Sequence, residues 1–188
     1  NSFCLNSIDI QAQTGLIENT IGKGGTNEYE DVSNSAEVEQ KADQENKDCD
    51  GSDCENFIGF QSQTAVISNA IGGGSGSSQY EDVSNSAEVE QKADQENKDC
   101  DGSDCGNFID AQIQTAVISN AIGGTNGGSY DDVSNSAEIE QKAEQQNKDC
   151  KDGSICQNNI GVQAQTAVIT NAIGGSNGGS YGDYSAEV

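Results

Sequence analysis

Between Val83 and Lys98 the chain alternates. Val83, Asn85, Ala87, Val89, Gln91, Ala93, Gln95 and Asn97 are uncharged, and six of the eight residues at Ser84, Ser86, Glu88, Glu90, Lys92, Asp94, Glu96 and Lys98 carry charge. A period of two lines one face of a β-strand, whereas a helix brings together positions three and four apart. Propensity argues the other way: AEVEQKADQE is good helix material, with Ser86 as its N-cap. As a helix the segment would bury little beyond Val89 and Ala93. The alternation therefore overrides propensity, and a strand is expected over Val83–Asp99, here called arm B.

A second segment, Asn56–Gly72 (arm A), is rich in Ile, Val, Thr and Phe and is bounded by turn residues, the signature of a strand. The two arms form a unit that recurs along the chain. Cys4, Cys54, Cys105 and Cys156 each open a copy, and Tyr29–Cys54 recurs letter for letter as Tyr80–Cys105. The whole chain, 1–188, reads as one repeat array: 4–53, 54–104, 105–155 and a partial fourth copy, 156–188. Gln61, Gln63, Ala65, Ile67, Asn69 and Ile71 are the same in every copy, apart from Gly15 in place of Ala65. The opposite face drifts, with Phe60 replaced by Ile10, Ala111 or Val162. Identity marks an inward-facing column, and drift marks a looser outer face.

Two long strands joined by a Gly-rich bend make a β-arch. The fold class expected is all-β: tandem β-arches stacked parallel and in register, β-solenoid-like, with four repeats of about 51 residues. Layers about 4.7–4.8 Å apart would give a slab about 19 Å thick, with strands roughly 53 Å long. Gln61, Gln63, Asn69, Asn85, Gln91, Gln95 and Asn97 are the candidate ladder residues. Each amide would donate to its own counterpart one layer away. A buried amide without that partner would cost about 1–3 kcal/mol. Such a slab has two broad unpaired edges, and with no Pro and no evident cap it is expected to pair with further copies. The partial fourth copy fits that expectation, because a neighbour could complete the layer.

Charge and composition narrow the function. The net charge is −24, with no Arg, His, Pro, Met or Trp among 188 residues. This balance excludes a nucleic-acid surface and the usual phosphate clamp, and with no long apolar stretch no membrane insertion is expected. Without His, a paired acid and base or a nucleophile motif, the chain is not expected to be an enzyme. The linker Gly72–Gly76 lacks the Lys and following helix of a phosphate loop. Stacking would align Glu37, Glu88 and Glu138, at about 0.9 kcal/mol of repulsion per pair in water, offset by Lys92, Lys98 and salt.

Seven cysteines in polar sequence point to disulfides in an oxidising compartment, and no N-glycosylation sequon is present. Two pairings fit. Arch closure joins Cys4–Cys49, Cys54–Cys100 and Cys105–Cys150. Turn closure joins Cys49–Cys54, Cys100–Cys105 and Cys150–Cys156. Arch closure is slightly preferred, because it would lock the two sheets together, and either scheme leaves one cysteine for a bond between subunits. No cofactor is expected. A divalent cation such as calcium is the one class left open, with Asp50, Asp53, Asp101 and Asp104 in the D-C-D-G-S-D loops as its candidate ligands. Those loops lack the closing bidentate Glu and flanking helices of an EF-hand, and an ordinary solvated turn is expected instead.

The columns Gln91-x-Ala93-x-Gln95-x-Asn97 and Gln63-x-Ala65-x-Ile67-x-Asn69 resemble curli-type functional amyloids, which stack Gln- and Asn-bearing β-arches into extracellular fibres. The repeat here is about twice as long and carries cysteines. The cysteines, the acidity and the absent sequons are closer to the tubular sheath proteins of filamentous methanogenic archaea. Both resemblances imply an extracellular filament or sheath built from copies of the chain itself, with other cell-envelope components as further candidate partners. The competing expectation is a monomeric β-solenoid binding module, a calcium-dependent adhesin or an ice-binding protein. Its support is the single column Thr14, Thr64, Thr115 and Thr166.

Overall fold

The computed structural model describes residues 3–21, 28–71, 79–122, 129–173 and 181–187. Residues 22–27, 72–78, 123–128 and 174–180, on which the expected Gly-rich links fall, lie outside them. Arm A appears four times, as β1 (Phe3–Ile21), β3 (Asp53–Ile71), β5 (Asp104–Ile122) and β7 (Ile155–Ile173). Arm B appears as β2 (Glu28–Asn46), β4 (Gln79–Asn97), β6 (Ser129–Asn147) and the shorter β8 (Tyr181–Glu187). The arms segregate into two parallel sheets, β1-β3-β5-β7 and β2-β4-β6-β8. The fold is therefore the expected all-β stack. Arm B is a strand despite its helix propensity, because a strand buries a whole uncharged face against arm A.

Each residue pairs with its own counterpart one copy away. Cys4, Cys54, Cys105 and Cys156 align in one column, and Gln40, Gln91 and Gln141 in another. The interior is made of small and medium apolar columns: Ala65 and Ile67 of arm A meet Val89 and Ala87 of arm B, and Ile58 meets Ala93. All six are fully buried. Gly15 fits this packing, since a Cβ there would lie 2.9 Å from the Val38 Cγ2.

Arm A departs from simple alternation. Gln61 to Ile71 bury their odd-numbered residues, as the sequence pattern requires, but Cys54, Asn56 and Ile58 are buried on even numbers. The phase changes at Gly59 and Phe60, two successive residues that do not face inward. The register skips the same rung in every pair of arm A strands, between Ile8↔Ile58 and Ile10↔Phe60 and at the equivalent points above. Because all copies carry the irregularity, pairing resumes in step beyond it, as at a β-bulge shared by neighbours. The column there reads Asp9, Gly59, Asp110, Gly161. A Cβ on Gly59 would stand 2.6 Å from the Asp9 carbonyl oxygen, and one on Gly161 2.5 Å from that of Asp110.

The copies are joined by tight turns. Ser52 N–H donates to the Cys49 carbonyl at 3.0 Å, and Gly51, with φ 62°, supplies the left-handed residue the turn needs. The turns stack as well: Cys49 N–H donates to the Lys98 carbonyl and Cys100 N–H to that of Lys148, both at 3.2 Å. The cysteine pairing is turn closure, Cys49–Cys54, Cys100–Cys105 and Cys150–Cys156, with Cys4 free. The preferred arch closure is thereby corrected. Each turn is only five or six residues long and returns its own two cysteines to 6.0–6.5 Å between Cα atoms. The two sheets are instead held together by side-chain amides.

Candidate functional site

The chemistry of the interior is that of amide ladders. Gln61 donates to Gln11 at 2.7 Å, Gln112 to Gln61 at 2.8 Å and Gln163 to Gln112 at 2.7 Å. In arm B, Gln91 donates to Gln40 and Gln95 to Gln44, both at 2.8 Å. The Gln63 column crosses between sheets: Gln63 Nε2 donates to the Glu90 carbonyl at 2.8 Å, and Gln114 does the same to Glu140. All seven expected ladder residues are at most 2% exposed and hydrogen-bonded.

Asparagines bracket the core. At the bend end, Asn34 bonds Asn19, Asn69 and Asn85, and Asn69 in turn donates to Asn85 at 2.7 Å and Asn120 at 3.0 Å. At the turn end, Asn46 donates to Asn56 at 3.1 Å and to Asn97 at 3.0 Å, and Asn56 donates to Asn97 at 3.0 Å and Asn107 at 2.9 Å. An Asn of one sheet thus sits between two of the other, so the sheets are offset along the stack and zipped at both margins. The column Asn6, Asn56, Asn107 and Asn158 was not among the expected ladder residues. Its identity in all four copies was the available signal, but alternation counted back from Gln61 points Asn56 outward. Only the phase change at Gly59 turns it in.

The outer face of arm B holds the charges. Lys41–Asp43, Lys92–Asp94 and Lys142–Glu144 pair within strands at 2.6–2.9 Å. Near the turns, Lys98 bridges layers by pairing with Glu45 and Glu96, and Lys148 pairs with Glu96. Hydrogen bonds from Lys98 and then Lys47 hold the Glu45 carboxyl below its ordinary range. Lys148 does the same for Glu96, against the opposing pull of burial. Glu45 and then Glu96 raise Lys98. Glu37, Glu88 and Glu138 do align in one column.

Other candidates are placed plainly. Asp50 and Asp104 are exposed and Asp53 and Asp101 half-buried. Among the described residues, the clusters of three potential ligands are Cys49, Cys100 and Cys105, and Cys100, Cys150 and Cys156, and every one of these cysteines is engaged in a disulfide. The four aspartates join neither cluster. Thr14, Thr64, Thr115 and Thr166 align in one outward column of the arm A sheet, alongside columns that mix Leu, Val, Ser and Ala. No described helix exists to cross a membrane.

What remains open to a partner is the pair of stack ends. Among the described residues β1 and β7 each have one strand neighbour, and each carries the full set of column residues on its free side. The chain matches no protein-family model, no curated protein and no solved structure.

Proposed function

We propose that this chain is a structural, self-assembling protein of the extracellular space, which grows by pairing its end strands with further copies into a filament or cell sheath. The observation that carries this reading is the pair of open, fully patterned edges, β1 and β7, uncovered by any described segment. Natural sheets that remain monomeric blunt such edges with Pro, bulges out of step or covering loops. Here the shared irregularity at Gly59 keeps neighbours in step, and the sequence contains no Pro.

The stacked disulfides support an oxidising location and reinforce each turn against unravelling. The role is mechanical, and divalent cations enter as counter-ions to the acidic faces. The likeness of the ladders to curli-type fibres, and of the cysteines, acidity and absent sequons to archaeal sheath proteins, supports the same reading, with other envelope components as secondary partners. Purified protein, held oxidised at 0.15 M salt and viewed in negative stain, is expected to form polymers whose short repeat follows the stack. Monomers alone across salt and calcium concentrations would overturn the proposal.

A further inference from the structure

The amide ladders have direction, and the direction depends on residue type. In the Gln columns every donor points toward the first copy: Gln61 to Gln11, Gln114 to Gln63, Gln141 to Gln91 and Gln145 to Gln95. In the Asn columns every donor points toward the last copy: Asn6 to Asn56, Asn97 to Asn147, Asn120 to Asn171 and Asn85 to Asn135. Backbone carbonyls, which only accept, fix which end of the amide is which. Gln95 Nε2 donates to the Phe108 carbonyl and Asn56 Nδ2 to that of Glu96, both at 3.1 Å. Opposed ladders also cancel one another's dipoles, so the stack does not accumulate one along its axis.

The two ends are consequently different and complementary. Among the described residues, the β1 end offers N–H groups from Gln11 and Gln13 and unpaired side-chain oxygens from Asn6 and Asn19. Among the described residues, the β7 end offers unpaired oxygens from Gln163 and Gln165 and N–H groups from Asn158 and Asn171. Resting on the self-assembly reading above, we infer that the partner of the β7 edge is the β1 edge of a second copy, giving a polar, head-to-tail stack with no two-fold axis. The four arm A amides on each end then find a partner in the geometry used inside the chain. A like-with-like junction in the same register sets Gln N–H against Gln N–H and Asn oxygen against Asn oxygen between two β1 edges, and Gln oxygen against Gln oxygen and Asn N–H against Asn N–H between two β7 edges.

The irregular rung points the same way. Along the column Asp9, Gly59, Asp110, Gly161, the glycines are the positions where a Cβ would strike the Asp carbonyl beneath. Head-to-tail addition places Asp9 of the next copy after Gly161, as Asp110 follows Gly59, and the alternation continues. The same addition sets Cys4 of the next copy beside Cys156, repeating the register of Cys54 beside Cys105.

Two experiments test the polarity separately from assembly. Gln11→Glu keeps an oxygen for Gln61 inside the chain and replaces the outward N–H donor with a charged acceptor, which would face the Gln163 oxygen of a head-to-tail neighbour. With circular dichroism unchanged from wild type, the variant is expected to stay monomeric in sedimentation, since every head-to-tail junction needs that face. Dimers, made through two β7 edges, would overturn the polarity, as would polymers indistinguishable from wild type. In the second, Cys150→Ser frees the Cys156 thiol. Equal amounts of ¹⁴N- and ¹⁵N-labelled variant are assembled and oxidised with diamide, which takes up the two thiol hydrogens as the S–S bond forms. Mixed-isotope peptides joining Cys4 to Cys156 are expected, in a ladder of covalent multimers. Polymers linked only Cys4 to Cys4 and Cys156 to Cys156, or with no link between chains, would overturn the polarity and leave self-assembly standing. Wild-type protein that never polymerises would overturn both.

Discussion

Removing one rung of an amide ladder should cost more than removing the whole ladder. Gln91 is fully buried, donates to Gln40 at 2.8 Å and accepts from Gln141 at 2.9 Å. Gln91→Met keeps an unbranched chain of similar shape but leaves the Gln40 oxygen and the Gln141 N–H without partners. Gln40 is 4% exposed, so its orphaned oxygen carries the full desolvation cost, about 1–3 kcal/mol. Gln141 is only half-buried and recovers part of its loss from water. The single variant is therefore expected to lose about 2–4 kcal/mol. Replacing Gln40, Gln91 and Gln141 together by Met removes donors and acceptors alike, and the column becomes another apolar one. That triple variant should lie within about 1 kcal/mol of wild type. Urea midpoints by circular dichroism, with hydrogen exchange at the flanking strands to follow layers that open separately, give the comparison. A triple variant as unstable as the sum of three single ones would refute the reasoning, because the amides would then stabilise independently of one another.

Further consequences are more local. Each turn disulfide closes a loop of about six residues, worth about 2.2 kcal/mol in the chain-entropy model, against about 4.0 kcal/mol for the roughly 46-residue loop of arch closure. Replacing Cys49 and Cys54 by Ser should therefore cost about 2 kcal/mol, and peptide mapping without reduction should recover Cys49 joined to Cys54. Gly59→Ala forces a Cβ against the Asp9 carbonyl and should cost about 1–3 kcal/mol, while Gly102→Asn, at φ 65° with nothing within 4 Å, should be nearly silent in thermal melts. Lys98→Gln tests the inter-layer ion pairs. Glu45 and Glu96 titrate lower folded than unfolded, so their contribution is present above the unfolded Glu value of about 4.3 and is lost as pH falls through the folded one. Lys98 is raised, so its share is lost only as pH rises through its folded value, above about 10.4. Wild type should exceed Lys98→Gln in denaturation midpoint across neutral pH and converge with it in acid; an unchanged gap at pH 2 would refute the assignment.

The two sheets, the register and the inner faces of Val83–Asn97 and Gln61–Ile71 were legible in the sequence, because side-chain period and repeat period are both properties of the string. The inner face before Gly59 was not. One irregular rung reverses which residues face in, and its cause is the close approach of a neighbour's carbonyl, which exists only once copies are stacked. The Asp/Gly alternation of the column was visible, but its meaning required the 2.6 Å contact. The cysteine pairing was missed for a related reason. Both schemes bring the same residues to the open side of the arch, and the choice lies in turn geometry at Gly51 and Ser52. The partners of Asn56 followed the same path: the residue was identical in every copy and still pointed the wrong way on a strict count of two.

A chain with 32% hydrophobic residues and a charge of −24 is a poor candidate for an ordinary core, and here the missing burial is supplied by polar groups that satisfy one another. Such satisfaction depends on layer number in a way that apolar burial does not. An interior layer has every ladder amide bonded above and below, while an end layer has half its set facing water. Each added layer therefore converts one set of exposed amides into bonded ones and exposes an identical set at the new end, so the end penalty is constant and the gain grows with length. The charged face scales the other way, since every added layer extends the Glu37 column by one more like-charged neighbour. Under the proposed self-assembly, growth would be favoured when salt or cations screen that column faster than they weaken the Lys98 and Lys148 bridges. The amide ladders are built of neutral groups, so under that proposal the salt dependence of stack length would be set on the outer face of arm B, where within-strand pairs such as Lys92–Asp94 sit beside the aligned Glu column.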